Sequence, residues 1–266
     1  MKRFILTQPP GADGKIRLAG EDYHYLVRVR RLAPGEVFPA LLSNGGETLV
    51  QVLSVEGGVL TGLCGAEKSG TGSRLPPVFL FQALPKAGKM DLIVRQAAEG
   101  GITEIVPFCS EYSVPRLSDE GRGNRLRRWE KIIREARQQS GSSIPTAVKP
   151  PLSLEELLDY WETLKSRTGK TLGLLFHQTP LEQKSLHEYL SVEPEMAVLA
   201  IGPEGGFSPG EVSRFLEADF RPLTIGDTVL RTETAALYGA AAVRIILLER
   251  ASWLPKTPLN GSGLPY

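Results

Sequence analysis

Between Ile201 and Glu211 the chain reads Ile201-Gly202-Pro203-Glu204-Gly205-Gly206-Phe207-Ser208-Pro209-Gly210-Glu211, directly after an apolar run of strand character from Met196. Ser208 is placed to cap a helix, Pro209 suits its first position and Glu211 closes a capping box. A glycine-rich turn between a strand end and a helix lets a ligand approach the backbone with no Cβ in the way. In open α/β sheets, ligands bind at such turns. Neither the P-loop pattern nor the dinucleotide GxGxxG pattern fits, which disfavours both of those phosphate sites. For Gly205 and Gly206 taken alone, the steric needs of a tight turn are an equally good account.

A second segment follows, Ile225-Gly226-Asp227-Thr228-Val229-Leu230-Arg231-Thr232-Glu233-Thr234-Ala235-Ala236. A short strand turns at Gly226 and enters a helix rich in small residues, for which Thr232 is a sound N-cap. Arg231 then sits beside a helix N-terminus, where a cation opposes the helix dipole. That placement costs stability unless Arg231 faces an anionic ligand or a carboxylate such as Glu233. The small-residue face (Ala235, Ala236, Gly239, Ala240) permits close helix packing, including across a subunit interface.

Other chemistries find little support. His24, His177 and His187 show no metal spacing, and the serine-hydrolase GxSxG pattern is absent. His177 closes the apolar run Thr171 to Phe176 and could border a ligand or simply end a strand. Cys64 and Cys109, with no CxxC and no nearby histidines, read as packed thiols.

The elements that must position these segments fall into two groups, as 266 residues suggest. Short strand-like runs (Val37 to Leu42, Thr48 to Val55, Val59 to Leu63) are separated by Asn44-Gly45-Gly46 and Glu56-Gly57-Gly58, which suit tight hairpins. They point to a small antiparallel barrel over residues 1–72. Lys68 to Pro77 has linker composition. Beyond it, strand-like runs (Val78 to Ala83, Ile102 to Pro107, Thr171 to Phe176, Met196 to Ile201, Leu223 to Ile225) alternate with helix patterns, as in a parallel sheet covered by helices over 73–250. One helix is expected after the capping box Ser153/Glu156, another after Asn124 with Trp129, Ile132, Ile133 and Ala136 inward. An irregular tail, 251–266, follows.

Apolar residues at 41 % and charged ones at 23 % exclude disorder as the main state. The apolar stretches are too short to span a membrane, and only Phe4 to Leu6 are apolar behind Lys2 and Arg3, so a cytoplasmic protein is expected. A net charge of +1 argues against a uniformly basic nucleic-acid binder. The total conceals segregation: 73–150 carries 13 basic against 8 acidic side chains, whereas 151–266 carries 10 against 15. Arg116 to Arg137 is the most basic stretch, and with Gln138-Gln139-Ser140-Gly141 it is a candidate for phosphate contact or an ordinary solvated helix face.

The two glycine-containing segments, together with Lys89-Met90-Asp91-Leu92-Ile93, Arg128-Trp129-Glu130-Lys131-Ile132, Glu135-Ala136-Arg137-Gln138-Gln139-Ser140-Gly141 and His24 to Gly35, resemble the RsmE family. Members methylate N3 of a uridine in 16S ribosomal RNA with S-adenosylmethionine. The resemblance spans nearly the whole chain. It implies a PUA-like amino-terminal β-barrel for RNA, followed by an α/β domain of the SPOUT class with a carboxyl-terminal trefoil knot, in a homodimer acting on 16S rRNA or the 30S subunit. It places cofactor contacts on Leu175, Phe176 and His177; on Ile201, Gly202, Pro203, Glu204, Gly205 and Gly206; and on Ile225, Gly226, Val229, Leu230, Thr232, Thr234 and Ala235. RNA contacts are expected at His24, Arg28, Arg30, Arg31, Arg116, Arg128, Arg137 and Gln138. The sequence departs from the family at Arg30, usually leucine, and at Asp227, usually uncharged or basic.

Uracil N3 carries a weakly acidic hydrogen, so methylation requires its removal and stabilisation of the anion. Arg231 is the candidate for that stabilisation, and Glu233 or a water for the base, unless Glu233 merely anchors Arg231. N3 lies on the Watson-Crick edge, so the target must be unpaired or flipped out. Competing readings are a SPOUT methyltransferase acting at another RNA position, an RNA-binding assembly factor without catalysis, and a metabolic α/β enzyme.

Overall fold

The computed structural model describes residues 4–6, 8–67, 75–86, 88–113, 119–178, 181–224 and 226–250. Most of the linker stretch, Arg116, Ile225 and the tail 251–266 lie outside the described residues.

Strands β1 (Phe4–Ile5), β2 (Lys15–Leu18), β3 (Val37–Leu41), β4 (Glu47–Glu56) and β5 (Val59–Cys64) form one sheet in the order β1-β3-β4-β5-β2. It is mixed rather than purely antiparallel, because β1 runs parallel to β3, and it is an open half-barrel. Alternation along β4 turns Thr48, Val50 and Val52 inward and Leu49, Gln51 and Leu53 outward. Between β2 and β3, α1 (Gly20–Tyr23) runs straight into a π-helical turn, His24–Val29. That turn drives Leu26 into the core against Phe38, Val50 and Leu60.

A second sheet is wholly parallel, in the order β11-β9-β10-β6-β7-β8. In chain order its elements are β6 (Val78–Ala83), α2 (Lys89–Glu99), β7 (Glu104–Phe108), α3 (Asp119–Ser140), β8 (Ala147–Val148), α4 (Leu154–Arg167), β9 (Thr171–Phe176), α5 (Leu186–Leu190), β10 (Met196–Ile201), α6 (Pro209–Glu217), β11 (Phe220–Leu223) and α7 (Thr232–Arg250). Every residue of β6 and β10 is buried, as expected for strands covered on both faces. Val78, Leu80, Ala197 and Leu199 point to the side of α2, α3 and α7. Phe79, Phe81, Val198 and Ala200 point to the side of α4 and α6.

Three expectations are corrected. The last strand lies at Phe220–Leu223 instead of Leu223 to Ile225; Arg221 and Pro222 disguise it, and it tolerates them because it is an edge strand. α3 starts at Asp119, five residues before Asn124, through Gly121 and Gly123, whose poor helix propensity hid that turn. Thr232 is the first residue of α7 rather than its cap: the Arg231 carbonyl accepts the Ala235 N–H (2.8 Å), so Arg231 holds the cap position.

From β10 the chain crosses to β11 at the sheet edge, and α7 then returns over β10 and β6. The return is tight. A Cβ on Gly239 of α7 would lie 2.6 Å from Cζ of Phe176 on β9.

Candidate active site

The carboxyl ends of β9 and β10, with the loop that follows β11, enclose a cavity of about 520 Å³, in the range of small-molecule sites. Its apolar wall comes from Phe176, Ile201, Leu223, Leu230 and Ala235, and its backbone floor from Gly202, Gly206 and Gly226.

The turn after β10 is held from several sides. Ser208 caps α6 by accepting the Glu211 N–H (3.3 Å) while its own N–H donates to Glu211 Oε2 (2.9 Å). The buried Glu211 carboxylate also accepts from Ser110 Oγ (3.0 Å) and the Glu111 N–H (2.9 Å), which brings the loop after β7 against the turn. The two central glycines serve different ends. A Cβ on Gly205 would meet Tyr112 Cβ at 3.2 Å, so Gly205 answers to packing, whereas Gly206 takes φ +71 and faces the cavity. A Cβ on Gly202 would meet the Gly206 backbone at 3.2 Å, so the turn would have to open by a few tenths of an ångström to admit one.

Thr232 joins this turn to α7. Its Oγ1 donates to the Gly202 carbonyl (2.6 Å) and accepts from Nε2 of the fully buried Gln82 (3.0 Å) at the end of β6.

Three charged groups complete the frame. Lys89 Nζ, at the start of α2, lies 2.9 Å from Glu204 Oε1 and 3.5 Å from Glu233 Oε2. The Lys86 N–H donates to the Glu204 carboxylate (3.2 Å). Burial pushes the Glu204 carboxyl up, but the hydrogen bonds from Lys89 and from backbone N–H groups outweigh it and hold the group below the ordinary carboxylate value. Lys89 is raised in turn, by its hydrogen bond to Glu204 first.

Of the residues expected to hold the cofactor, Phe176, His177, Ile201, Gly202, Pro203, Glu204, Gly206, Gly226, Val229, Leu230, Thr232 and Ala235 line this one cavity. Leu175 does not: strand alternation turns it to the α4/α6 side of the sheet. Gly205 and Thr234 also lie off the cavity wall, and Ile225 is outside the described residues. Gln178, Phe207, Leu223, Thr224 and Thr228 line it without having been singled out. They flank the motifs, and only the fold brings them in.

Arg231 is exposed on the cavity wall. Glu233 is not its anchor. The Glu233 carboxylate is only 14 % exposed and faces Lys89, whose position at a helix start carried no signal of this pairing.

The residues expected at RNA divide. His24, Arg28 and Arg31 are exposed around the π-helical turn, with Arg31 at φ +59, while Arg30 is half-buried. Arg128 is exposed and paired with Asp91 (2.5 Å). Gln138 is half-buried, and Arg137 is buried at 6 % exposure instead of lying on the outer face of α3. It follows Ile133 by four positions and Ala136 by one, which places it beside the apolar stripe.

Residues 73–244 match the family model of the RNA methyltransferase domain, and residues 18–58 match that of the RNA methyltransferase PUA domain. A parallel sheet with this carboxyl-terminal pocket, preceded by a PUA-type half-barrel, defines an RNA methyltransferase. The chain is 31 % identical to ribosomal RNA small subunit methyltransferase E of Synechocystis sp., over 92 % of this chain and 78 % of that protein. It is 27 % identical to the Bacillus subtilis protein of the same name, over 85 % and 88 %. The crystal structure of a ribosomal RNA small subunit methyltransferase E from Neisseria gonorrhoeae, bound to S-adenosyl methionine, superposes with a TM-score of 0.77 at 25 % identity, covering 92 % of this chain and 98 % of that one. The chain therefore belongs to the ribosomal RNA small subunit methyltransferase E family.

Proposed function

We propose that this protein methylates N3 of a uridine in 16S ribosomal RNA, with S-adenosylmethionine as donor, as a cytoplasmic homodimer acting on the small ribosomal subunit. One observation carries the reading: the glycine turn, the loop after β11 and the cap of α7 meet in a single cavity with a guanidinium on its wall. The cavity suits the cofactor, because Gly202 and Gly206 leave a cradle that a Cβ would fill, beside an apolar wall able to take a nucleoside. The bound cofactor would supply an electrophilic methyl group.

Glu204 and Thr232 hold the two sides of the pocket in register through Lys89 and Gly202. Asp227, exposed on the cavity wall, supplies negative charge toward a cationic ligand. Arg231 orients the uracil and stabilises the anion formed when N3 loses its proton. The proton goes to water, because Glu233 faces Lys89 and lies off the cavity wall.

The dimer reading rests on α7. Leu237, Tyr238, Ile245 and Leu248 are exposed along it, and Leu237, Ile245 and Leu248 line a mainly apolar groove shared with α2. Such a stripe on a helix face suits burial against a second copy.

The test is Arg231→Ala. Cofactor binding measured by calorimetry stays within about twofold, while the rate of methyl transfer to small ribosomal subunits falls by about 100-fold or more. Transfer at the original rate removes Arg231 from the reaction.

A further inference from the structure

At the seam between the half-barrel and the parallel sheet lies a second cavity, of about 340 Å³. Leu6 and Ser43 line it from the half-barrel, and Glu130, Arg134 and Arg137 from α3. Arg137 is 94 % covered, and its Nε and Nη2 are fully enclosed and meet no hydrogen-bond partner among the described residues. A guanidinium does not shed its proton at any ordinary pH, so burial here leaves an uncompensated charge. A buried charge left unpaired is strongly destabilising. The residue lines this cavity.

The surroundings sharpen the point. Among the described residues, the exposed cations on the same helix are partnered: Arg128 with Asp91, Lys131 with Glu21 across the seam (3.8 Å), and Arg127 with the Asn124 side chain (2.6 Å). The Thr146 hydroxyl, also at the seam, is committed to the Ile102 carbonyl (2.6 Å). Among the described residues, two guanidiniums and the Ser43 hydroxyl are then the uncommitted side-chain donors lining the cavity, against a single carboxylate, Glu130. Paired guanidiniums on one wall suit a tetrahedral oxyanion, with charge-assisted hydrogen bonds of the strong class.

We propose that this seam cavity is a phosphate-binding site built on Arg137 and Arg134, and that it takes one backbone phosphate of the RNA. The second half rests on the functional reading above; the first does not. The site neutralises the buried Arg137, and it lies where the half-barrel meets the catalytic sheet. A phosphate there ties the relative placement of the two to the presence of RNA.

The experiment uses the full-length protein and three variants, Arg137→Met, Arg134→Gln and Glu130→Gln, with inorganic phosphate as the first probe. At constant ionic strength, phosphate is expected to raise the melting temperature of the wild type. R137M is expected to melt higher than the wild type without phosphate, because an unpaired charge is gone, and to show no further rise with it. R134Q should lose several-fold in phosphate affinity, and E130Q should gain as much. Unchanged S-adenosylmethionine affinity certifies each fold, and R134Q, altered at a half-buried residue, keeps the test alive if R137M does not fold. Small-subunit RNA is the second probe: R137M should reduce the slope of log affinity against log salt by about 1. A phosphate response that survives in both R137M and R134Q overturns the site. A lost phosphate response with an unchanged RNA salt slope overturns the RNA assignment and leaves a site for free phosphate. If phosphate binds as described but no methyl group reaches the RNA, the functional reading fails and the site stands.

Discussion

The cavity after β10 and the cavity at the seam differ in how their charges are settled. Around the first, Glu204 is held by Lys89 and the Lys86 N–H, Glu211 accepts from three donors on two segments, Thr232 bridges two strand ends, and Glu233 Oε2, though without a hydrogen bond, lies 3.5 Å from the Lys89 ammonium. Around the second, a buried guanidinium has two nitrogens without a partner. One site is preorganised before any ligand arrives, whereas the other is completed by its ligand. Preorganisation suits a pocket that must fix a reactive methyl group within a fraction of an ångström. A seam that follows a flexible polyanion has no such need.

The largest expected effect away from Arg231 is on the preorganised side. Gly239→Ala sets a Cβ into the Phe176 ring, and overpacking of that kind costs about 1–3 kcal/mol. Thermal denaturation should show the loss, and calorimetry a matching loss of cofactor affinity, because Phe176 is cavity wall. Unchanged affinity would mean that α7 can slide without disturbing the pocket. Thr232→Val, nearly equal in size, removes the donor to Gly202 and the acceptor for Gln82. A loss of about 1–3 kcal/mol in denaturant stability is expected.

Lys89→Met comes next, because it leaves Glu204 and Glu233 facing each other without a cation. Cofactor KM should rise several-fold with a smaller change in kcat, since Lys89 positions and does not touch the reacting atoms. The pH dependence checks the cause. Glu204 titrates lower in the folded protein than its ordinary 4.5, so the stability it contributes is complete above that value and is lost as pH falls through the folded one. Lys89 titrates above its ordinary 10.5, so its share is complete below 10.5 and lost only as pH rises past the folded value. Cofactor affinity should therefore be flat through neutrality and drop at the acid end, and K89M should blunt that drop.

The smallest effect belongs to the exposed face of α3. Arg128→Ala, at a residue 69 % exposed and already paired with Asp91, should weaken RNA binding by no more than a few-fold. A larger loss in a filter-binding titration would move the phosphate contacts from the seam to the open face.

Much of the pocket was legible in the sequence because its signals are local. Ser208, Pro209 and Glu211 specify a helix start by three adjacent residue types, and the continuous apolar runs of β6, β9 and β10 match their bounds. The remainder is long-range. Lys89 and Glu204 are far apart in the chain, as are Gln82 and Thr232, and no periodicity announces that they meet. Arg137 misleads for a related reason. A basic run reads as a solvated face, but the half-barrel docks on part of that face, and only the tertiary structure shows which arginine is covered. β11 was displaced because Arg221 and Pro222 look unlike a strand, and the parallel β1 pairing was missed because two residues carry no pattern.

The proposed function is transfer of a methyl group to small-subunit RNA. The direct measurement incubates the purified protein with methyl-labelled S-adenosylmethionine and unmodified small ribosomal subunits, and maps the label by nuclease digestion and mass spectrometry. Label is expected on N3 of a single uridine in 16S rRNA, reduced about 100-fold or more by Arg231→Ala. Label on ribose, on another base or on protein, or no label from protein that binds the cofactor, would contradict the proposed function.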